Sequence, residues 1–400
     1  MNSAKDTTAE APRGARKVVN GARTWLVAQR VFWLDYLVIL SVLTVVYVAI
    51  ILLYSQYFPD SAHYLGMSLW FSGMTQQDAL ELVNARHIAN GWDPNTSVDL
   101  LFNWGLVKPR VVLPLLSVPF IWLFGPAGLT VTTGIITLVL VLVLYKLLAA
   151  RYGRVASVVS VLLMLSSMFI MVFSVGMLTE SLSALWGVAA LAAAYRYQSD
   201  PRKRWIVIMV AVTLLSAFTR QATFIVAGAF VVAWLLSFAV PRATRGWTVP
   251  TIAVAGSALL AQLVQTWLFP FSQGDQYMRM TQTDSLWGAI LATPKLIVGI
   301  LREELATYVL EDQVLLILIG LALISMVVFW RRTESHLLFG AILGISLYNI
   351  TNGNATHFRY AIPGIVFFLG SISLLLVHLQ ASARGGPPAA RSDPETPTAA

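Results

Sequence analysis

Long, mostly apolar stretches recur along this chain from one end to the other. The hydrocarbon core of a bilayer is about 30 Å thick, and an α-helix needs about 20 residues to cross it. Inside lipid the backbone N–H and C=O groups find no water, so a spanning stretch must be helical or part of a closed barrel. Stretches of this length therefore predict an all-α protein, a polytopic bundle of transmembrane helices.

We predict about ten spans from these stretches and the polar turns between them. They lie near residues 36–54, 128–149, 155–173, 175–195, 205–218, 221–240, 249–269, 313–330, 336–350 and 361–379. A shorter apolar segment, Val111–Phe124, is interrupted by two prolines. It either crosses as well or forms a short re-entrant or partial helix.

The basic residues orient the bundle. Lys and Arg concentrate in cytoplasmic loops, and ten spans place 19 of the 27 Lys and Arg residues on the side of the N-terminus. A crossing by Val111–Phe124 would move the later basic clusters to the outside, so we interpret that segment as re-entrant or partial. Both termini are then cytoplasmic in a multi-pass plasma membrane protein.

Three regions follow from this orientation. Residues 1–30 form a basic cytoplasmic leader, either solvated or partly a basic amphipathic helix on the membrane surface. Residues 31–380 form the transmembrane domain, with outer loops at 55–110 and 270–312 that carry apolar residues at helical spacing. These loops are predicted to contain small extracytoplasmic helices. Residues 381–400, rich in Pro, Ala and Gly, form a disordered cytoplasmic tail.

The composition agrees with a lipid environment. Hydrophobic residues make up 57% of the chain and charged residues only 12%, about half the charged fraction of a soluble domain. The net charge of +8 does not indicate a nucleic-acid partner, because the basic residues form short clusters between apolar stretches. The absence of cysteine excludes disulfides and thiol chemistry. P-loop, Rossmann, HExxH and GxSxG motifs are also absent from the sequence.

The first outer loop opens with an acidic residue, Asp60, followed by His63 and Tyr64. A carboxylate shielded from bulk water has a raised pKa and can act as a general base. The alternative is that Asp60 caps a helix, as Pro-Asp-Ser sequences often do. The same loop ends with Lys108 and Arg110, two cations that can bind a lipid phosphate or simply reach the membrane interface.

Other polar candidates lie at the outer ends of later spans. Glu180 begins one span, and Arg220 stands in the next outer turn on the same face, so the two either serve a site or pair with each other. The last outer loop carries His357, Arg359 and Tyr360. Arg359 is a second candidate for holding a phosphate, and an aromatic and cationic interface belt is the alternative. The five histidines are not closely spaced, which disfavours a dedicated metal site, although outer acidic residues could hold a divalent ion.

In this order the motifs resemble those of the GT-C superfamily of membrane glycosyltransferases. The matching elements are an acid early in the first outer loop (DSAHYL, from Asp60), an Arg before an apolar segment containing proline (RVVLPLLSVPFIWLFG, from Arg110), the Thr179–Glu180 pair, and an Arg-Tyr pair before the last span (RYAIP, from Arg359). The resemblance covers roughly residues 30 to 380.

The resemblance implies an enzyme that transfers a sugar from a polyprenyl-phosphate donor to an envelope glycan or glycolipid acceptor, with inversion. Asp60 would deprotonate or orient the acceptor hydroxyl. Arg359 and Arg110, with Arg220 as a third candidate, would stabilise the departing phosphate. The chain has one acid in the opening motif where many relatives have an adjacent pair, which leaves the use of a divalent metal open.

Two other functions remain as alternatives. A transporter or flippase for a lipid-linked substrate would carry polar residues along a path through the bilayer midplane. The middles of the predicted spans carry few ionisable residues, which favours chemistry at one face. A non-catalytic membrane scaffold is the third possibility, and for it the acid and arginine residues would be dispensable.

Overall fold

The structure is a computed structural model that describes residues 13–95, 97–240 and 246–383. In these ranges all regular secondary structure is helical. The predicted disordered tail and the first part of the predicted leader lie almost wholly outside the described residues. The backbone from Arg13 onward runs as one helix into the first predicted span.

The helices follow one another with short connections. They are α1 (Arg13–Leu53), α2 (Ser61–Phe71), α3 (Gln76–Ala89), α4 (Val98–Phe102), α5 (Val112–Phe124), α6 (Gly128–Tyr152), α7 (Arg154–Leu165), α8 (Met168–Val175), α9 (Glu180–Ser199), α10 (Lys203–Ala217), α11 (Thr223–Ala239), α12 (Thr248–Leu268), α13 (Gln273–Thr281), α14 (Leu286–Glu311), α15 (Gln313–Val328), α16 (Thr333–Asn352) and α17 (Ile365–Ala383). Short 3-10 helices precede α6 at Gly125–Ala127 and α17 at Arg359–Gly364.

Each predicted span coincides with helical structure, with one difference. The span predicted at 155–173 is broken into α7 and α8, which meet at an angle of 75°. Ser167 sits at the break and its hydroxyl accepts a hydrogen bond from the backbone N–H of Ile170. A side chain that caps a new helix at this point explains why the apolar stretch does not continue as one helix.

Helix length does not confirm the predicted count of spans. Four segments of the described chain are long and apolar enough to cross a membrane, and six are if each of two bent helix pairs counts as one span. The four are Phe32–Leu53, Val112–Tyr152, Thr248–Leu268 and Arg359–Ala383. Helices α10, α11 and α15 have only 15, 17 and 16 residues, fewer than the roughly 20 that a perpendicular crossing needs.

Helices α5 and α6 fold back on each other instead of forming one long rod. The turn between them contains Gly125, whose φ of 58° is the left-handed conformation that glycine adopts without strain. Gly128 then lies directly on the backbone of Phe120, where a Cβ atom would come within 2.3 Å of the carbonyl carbon. The 13 residues of α5 therefore pack along the first part of α6.

The centre of the bundle is formed by α9, α11, α16 and α17. Glycines bring α11 and α16 into backbone contact, since a Cβ on Gly340 would lie 2.5 Å from the carbonyl oxygen of Gly228. Small residues allow such close approach between helices in membrane proteins. The start of α9 and the 3-10 helix before α17 lie at the same end of the bundle. This brings residues 180 and 359 together.

The opposite end of the bundle is closed by two ion pairs. Arg154 bonds Asp35 at 2.6 Å, and Arg151 bonds Glu334 at 2.8 Å. These pairs join the ends of α6 and α7 to α1 and α16. The basic residues that the sequence assigns to the cytoplasmic side therefore include structural partners of carboxylates.

The two predicted outer loops contain helices, as expected. The first holds α2, α3 and α4, and the second holds α13 and α14. With 26 residues, α14 is longer than the short surface helices that we predict there. The loops touch each other at Gly105, where a Cβ atom would lie 3.0 Å from the carbonyl oxygen of Pro270. Together they cover the end of the bundle at which α9 begins.

Candidate functional site

A bridging arginine joins two carboxylates at the loop-covered end of the bundle. Arg359 donates through Nη2 to Oδ2 of Asp60 at 2.6 Å and through Nε to Oε1 of Glu180. Arg220 donates through Nη1 to the same Glu180 oxygen at 2.7 Å. Glu180 therefore pairs with Arg220, which the sequence offers as the alternative to a role in a site. Asp60, 299 residues from Arg359, belongs to the same network.

Local contacts bring the arginines to this place. The indole N–H of Trp186 donates to the Thr219 hydroxyl at 3.0 Å, which holds the turn before Arg220 against α9. The N–H of Val112, at the start of α5, donates to the carbonyl of Phe218 in the same turn. Arg110, two residues before Val112, is thereby placed next to this turn.

Arg110 has no carboxylate partner within the described residues. Only 4% of its surface is exposed, and its Nη1 donates to the Tyr64 hydroxyl at 2.9 Å. Its Nε makes no hydrogen bond within the described residues. Buried charges are normally paired. Three guanidinium groups in the cluster face two carboxylates, so the cluster carries one excess positive charge.

Aromatic rings complete the surroundings of the arginines. The Cζ atom of Arg220 lies 4.7 Å from the ring centre of Tyr360, and that of Arg359 lies 5.8 Å from it. Tyr348 packs on Tyr360 with ring centres 4.7 Å apart. The negative faces of such rings attract cations, which helps to keep the two guanidinium groups in the buried cluster.

The environment of Asp60 lowers its pKa. Burial alone raises the pKa of this carboxyl, but the positive charges of Arg359, Arg110 and Arg220, with the hydrogen bond from Arg359, outweigh burial and hold the pKa well below its usual value. The prediction that desolvation raises this pKa toward neutrality is wrong, because it left out the arginines. The side chain does not cap α2 either.

His63, three residues after Asp60 on α2, has a fixed tautomer. Its Nδ1 lies 2.9 Å from the carbonyl oxygen of Leu101. A carbonyl only accepts, so Nδ1 carries the proton and Nε2 keeps a lone pair. Burial lowers the pKa of His63, partly offset by the hydrogen bond to Leu101 and the charge of Asp60. The imidazole is therefore neutral at neutral pH.

A cavity of about 680 Å³ opens beside this cluster, a size typical of small-ligand sites. Asp60, His63, Arg110 and Tyr360 are among the residues that line it. The rest of the wall comes from both outer loops and from the segment before α17, and includes Asn95, Leu100, Trp104, Leu106, Val107, Phe271, Ser272, Asp275, Gln276, Arg279, Met280, Asn352, Asn354 and Thr356. Within the described residues no group of three or more His, Asp or Glu side chains is arranged to hold a metal ion.

Six predicted residues do not line this cavity, although four of them support it. The Tyr64 hydroxyl accepts the hydrogen bond from Arg110, and Arg359 bridges Asp60 and Glu180. Glu180 and Arg220 are buried beneath Asp60 and Tyr360 in the ion-pair network. Lys108 is exposed and donates to Oδ1 of Asn103 at 2.7 Å. The imidazole of His357 stacks on Phe169 with ring centres 5.5 Å apart.

Reasoning from the sequence alone misses Glu304 on α14. Its Oε1 accepts hydrogen bonds from the backbone N–H groups of Thr356, at 2.5 Å, and His357, at 3.0 Å. His357 and Phe358 have φ values of 51° and 67°, left-handed conformations that are uncommon outside glycine. Glu304 thus holds the turn that directs Arg359 into the cluster. No local pattern marks a contact between residues 52 positions apart.

No family model, curated protein or solved structure matches this chain.

Proposed function

We propose that this protein transfers a sugar from a polyprenyl-phosphate donor to a glycan or glycolipid acceptor, with inversion at the anomeric carbon, in the manner of the GT-C enzymes. The observation that carries the proposal is Arg110, a buried cation that has no carboxylate partner among the described residues and that lines a ligand-sized cavity. A phosphate anion would supply the missing negative charge. Helices long and apolar enough to cross a membrane fit a protein whose substrate has a lipid tail.

The charges around the cavity suit the departure of a lipid phosphate. Negative charge develops on the bridging oxygen as the anomeric carbon–oxygen bond breaks, and fixed cations in a dry site stabilise it strongly. Arg110 is free to bind this phosphate at once. Arg359 is bonded to Asp60, which lines the cavity, and a phosphate that enters next to Asp60 can share the Arg359 guanidinium. Asp60 stays ionised and holds Arg359 in place between reactions.

We also propose the topology that the sequence predicts. About ten crossings with α5 as a re-entrant or partial helix place both termini in the cytoplasm and the cavity outside, on the plasma membrane of a bacterium. The basic residues at the end of the bundle opposite to the cavity support this orientation. Accessibility of single introduced cysteines to a membrane-impermeant reagent tests it, since the chain has no cysteine of its own.

The test of function is transfer of radiolabelled sugar from a panel of polyprenyl-phosphate sugars to membrane acceptors by the purified protein in nanodiscs. Wild type is compared with Arg110→Gln, which removes the unpaired charge, and with Arg86→Gln. Arg86 lies over the Tyr57 ring in the same outer loop and does not line the cavity.

We expect transfer by wild type and by Arg86→Gln, and a loss of about 10²–10³-fold in Arg110→Gln, the usual effect of removing one group that stabilises developing charge. Equal rates for all three proteins would contradict the role of Arg110. Absence of transfer by wild type, together with flux of a lipid-linked sugar across proteoliposomes, would favour the transporter alternative.

A further inference from the structure

His63 is the one imidazole that lines the cavity among the described residues. It follows Asp60, the residue that precedes α2, by three positions, and both side chains line the cavity. Its Nδ1–H is bonded to the carbonyl of Leu101, and its ring lies 5.2 Å from the ring of Trp104. These contacts fix the ring plane and leave Nε2 without a protein partner in the described residues.

The charged groups around His63 favour its acting as a proton acceptor. Asp60 stabilises a positive imidazolium, whereas Arg110 on the adjacent wall destabilises it. His87 is the other histidine in the same loop, and its Nδ1 lies 3.1 Å from the hydroxyl of Tyr57. His87 does not line the cavity. Among the described histidines, His63 is therefore the one that combines a free lone pair with access to a bound substrate.

Asp60 is poorly suited to take a proton, although it lines the same cavity. Its Oδ2 is engaged by Nη2 of Arg359 at 2.6 Å, and two more guanidinium groups lie close to it. A carboxylate in such surroundings is a weak base. Moving a proton onto it would also break the pair that holds Arg359.

We propose that His63 is the general base of the transfer and that Asp60 is a positioning residue that holds Arg359 and stabilises the imidazolium. The inference rests on the proposed function. Nε2 takes the proton of the acceptor hydroxyl while the acceptor oxygen bonds to the anomeric carbon. The bond from that carbon to the phosphate oxygen breaks, and its electron pair leaves with the lipid phosphate, which Arg110 binds. The imidazolium then loses its proton to solvent.

Paired substitutions separate catalysis from packing. His63→Asn places an amide N–H where Nδ1–H donates, so it keeps the bond to Leu101 and removes the base. His63→Ala removes both the hydrogen bond to Leu101 and the base. His87→Asn is the matched control, because it makes the same change at a neighbouring histidine outside the cavity.

We expect His63→Asn to lower kcat about 10²–10⁴-fold, the usual contribution of a general base, with little change in the KM for donor. His87→Asn should retain wild-type turnover. The rate of wild type should fall as pH falls through the pKa of His63, below about pH 6.5, the ordinary value for histidine. This acidic limb should be absent from the residual activity of His63→Asn.

Asp60→Asn gives a second readout in the pH profile. Removal of the negative charge lowers the pKa of His63, so the acidic limb of the remaining activity should move to lower pH. If Asp60 is the base instead, the acidic limb of the wild-type pH profile lies at a pH below the ordinary carboxyl pKa, and Asp60→Asn eliminates that limb. Transfer by His63→Asn at the wild-type rate would overturn the inference alone. Absence of transfer by wild type would overturn both the proposed function and the inference.

Histidine ring nitrogens can also be observed directly by NMR of ¹⁵N-labelled protein in nanodiscs, with His63 assigned from the signal that His63→Asn removes. A neutral ring at pH 7 with the proton on Nδ1 supports the inference. A protonated ring, or a proton on Nε2, overturns it.

Discussion

Glu180 is the partner of two arginines, and its replacement tests the ion-pair network most sharply. Its side chain is fully buried, and Arg220 is only 1% exposed. In Glu180→Gln, Arg220 loses its only carboxylate in the described residues, while Arg359 keeps Asp60. Removing one member of a buried pair typically costs about 3–5 kcal/mol, because it leaves an uncompensated charge. We expect a loss of that size in the free energy of unfolding.

Replacing Arg220 should cost less free energy of unfolding than replacing Glu180. In Arg220→Gln the Glu180 carboxylate still has Arg359, so no carboxylate is left without a cation. Glu180→Gln should therefore destabilise the protein more than Arg220→Gln. The double variant, which removes one charge of each sign, should be more stable than the sum of the two single losses predicts.

The assay is reversible unfolding in mixed micelles, followed by tryptophan fluorescence, for wild type, the two single variants and the double variant. The coupling energy from this double-mutant cycle measures the pair. Equal costs for the two single substitutions, or strictly additive costs in the double variant, would refute the argument that Glu180 neutralises two arginines at once.

Two further predictions concern positions away from the ion pairs. Glu304→Ala should lower sugar transfer at least about tenfold, because the turn before Arg359 loses its acceptor and a misplaced catalytic group is costly. Glu304→Gln should stay near wild type, because its amide oxygen still accepts hydrogen bonds from the backbone N–H groups of that turn. Equal activity of the two variants would contradict this prediction. Gly128→Ala should lower the free energy of unfolding by at least about 1–3 kcal/mol, because the added Cβ atom meets the Phe120 backbone. Gly256→Ala is the control and should not destabilise the protein, because Gly256 has open space around it; thermal unfolding of the two variants compares them.

The positions of the helices could be predicted well because their signal is local. An apolar stretch bounded by polar turns marks a helix whatever it packs against. Every predicted span lies on helical structure, although the span at 155–173 is divided between α7 and α8. The break at Ser166 and Ser167 was missed because an apolar stretch with two serines also suits an unbroken helix. The number of crossings depends on the membrane as well as the sequence, and helix length alone gives a smaller number.

The site residues could be predicted from the sequence because of where their charges lie along the chain. Ionisable side chains at the edges of apolar stretches are costly, so each one present invites a functional or pairing role. Asp60, Arg110, Glu180, Arg220 and Arg359 were selected in this way, and four of them share one ion-pair network. Their electrostatic effect on one another could not be predicted, because it depends on distances between residues far apart in sequence. The pKa of Asp60 is the clearest example.

The bridging role of Arg359 also sets an order of events during synthesis. Glu180 and Arg220 are 40 residues apart and can pair as soon as α9 and α10 have formed. Asp60 leaves the ribosome 299 residues before Arg359, a delay of roughly 15–60 s at 5–20 residues per second. During that time its carboxylate lacks its final partner. The site is therefore completed last, when Arg359 and then α17, one of the helices at the centre of the bundle, have been synthesised.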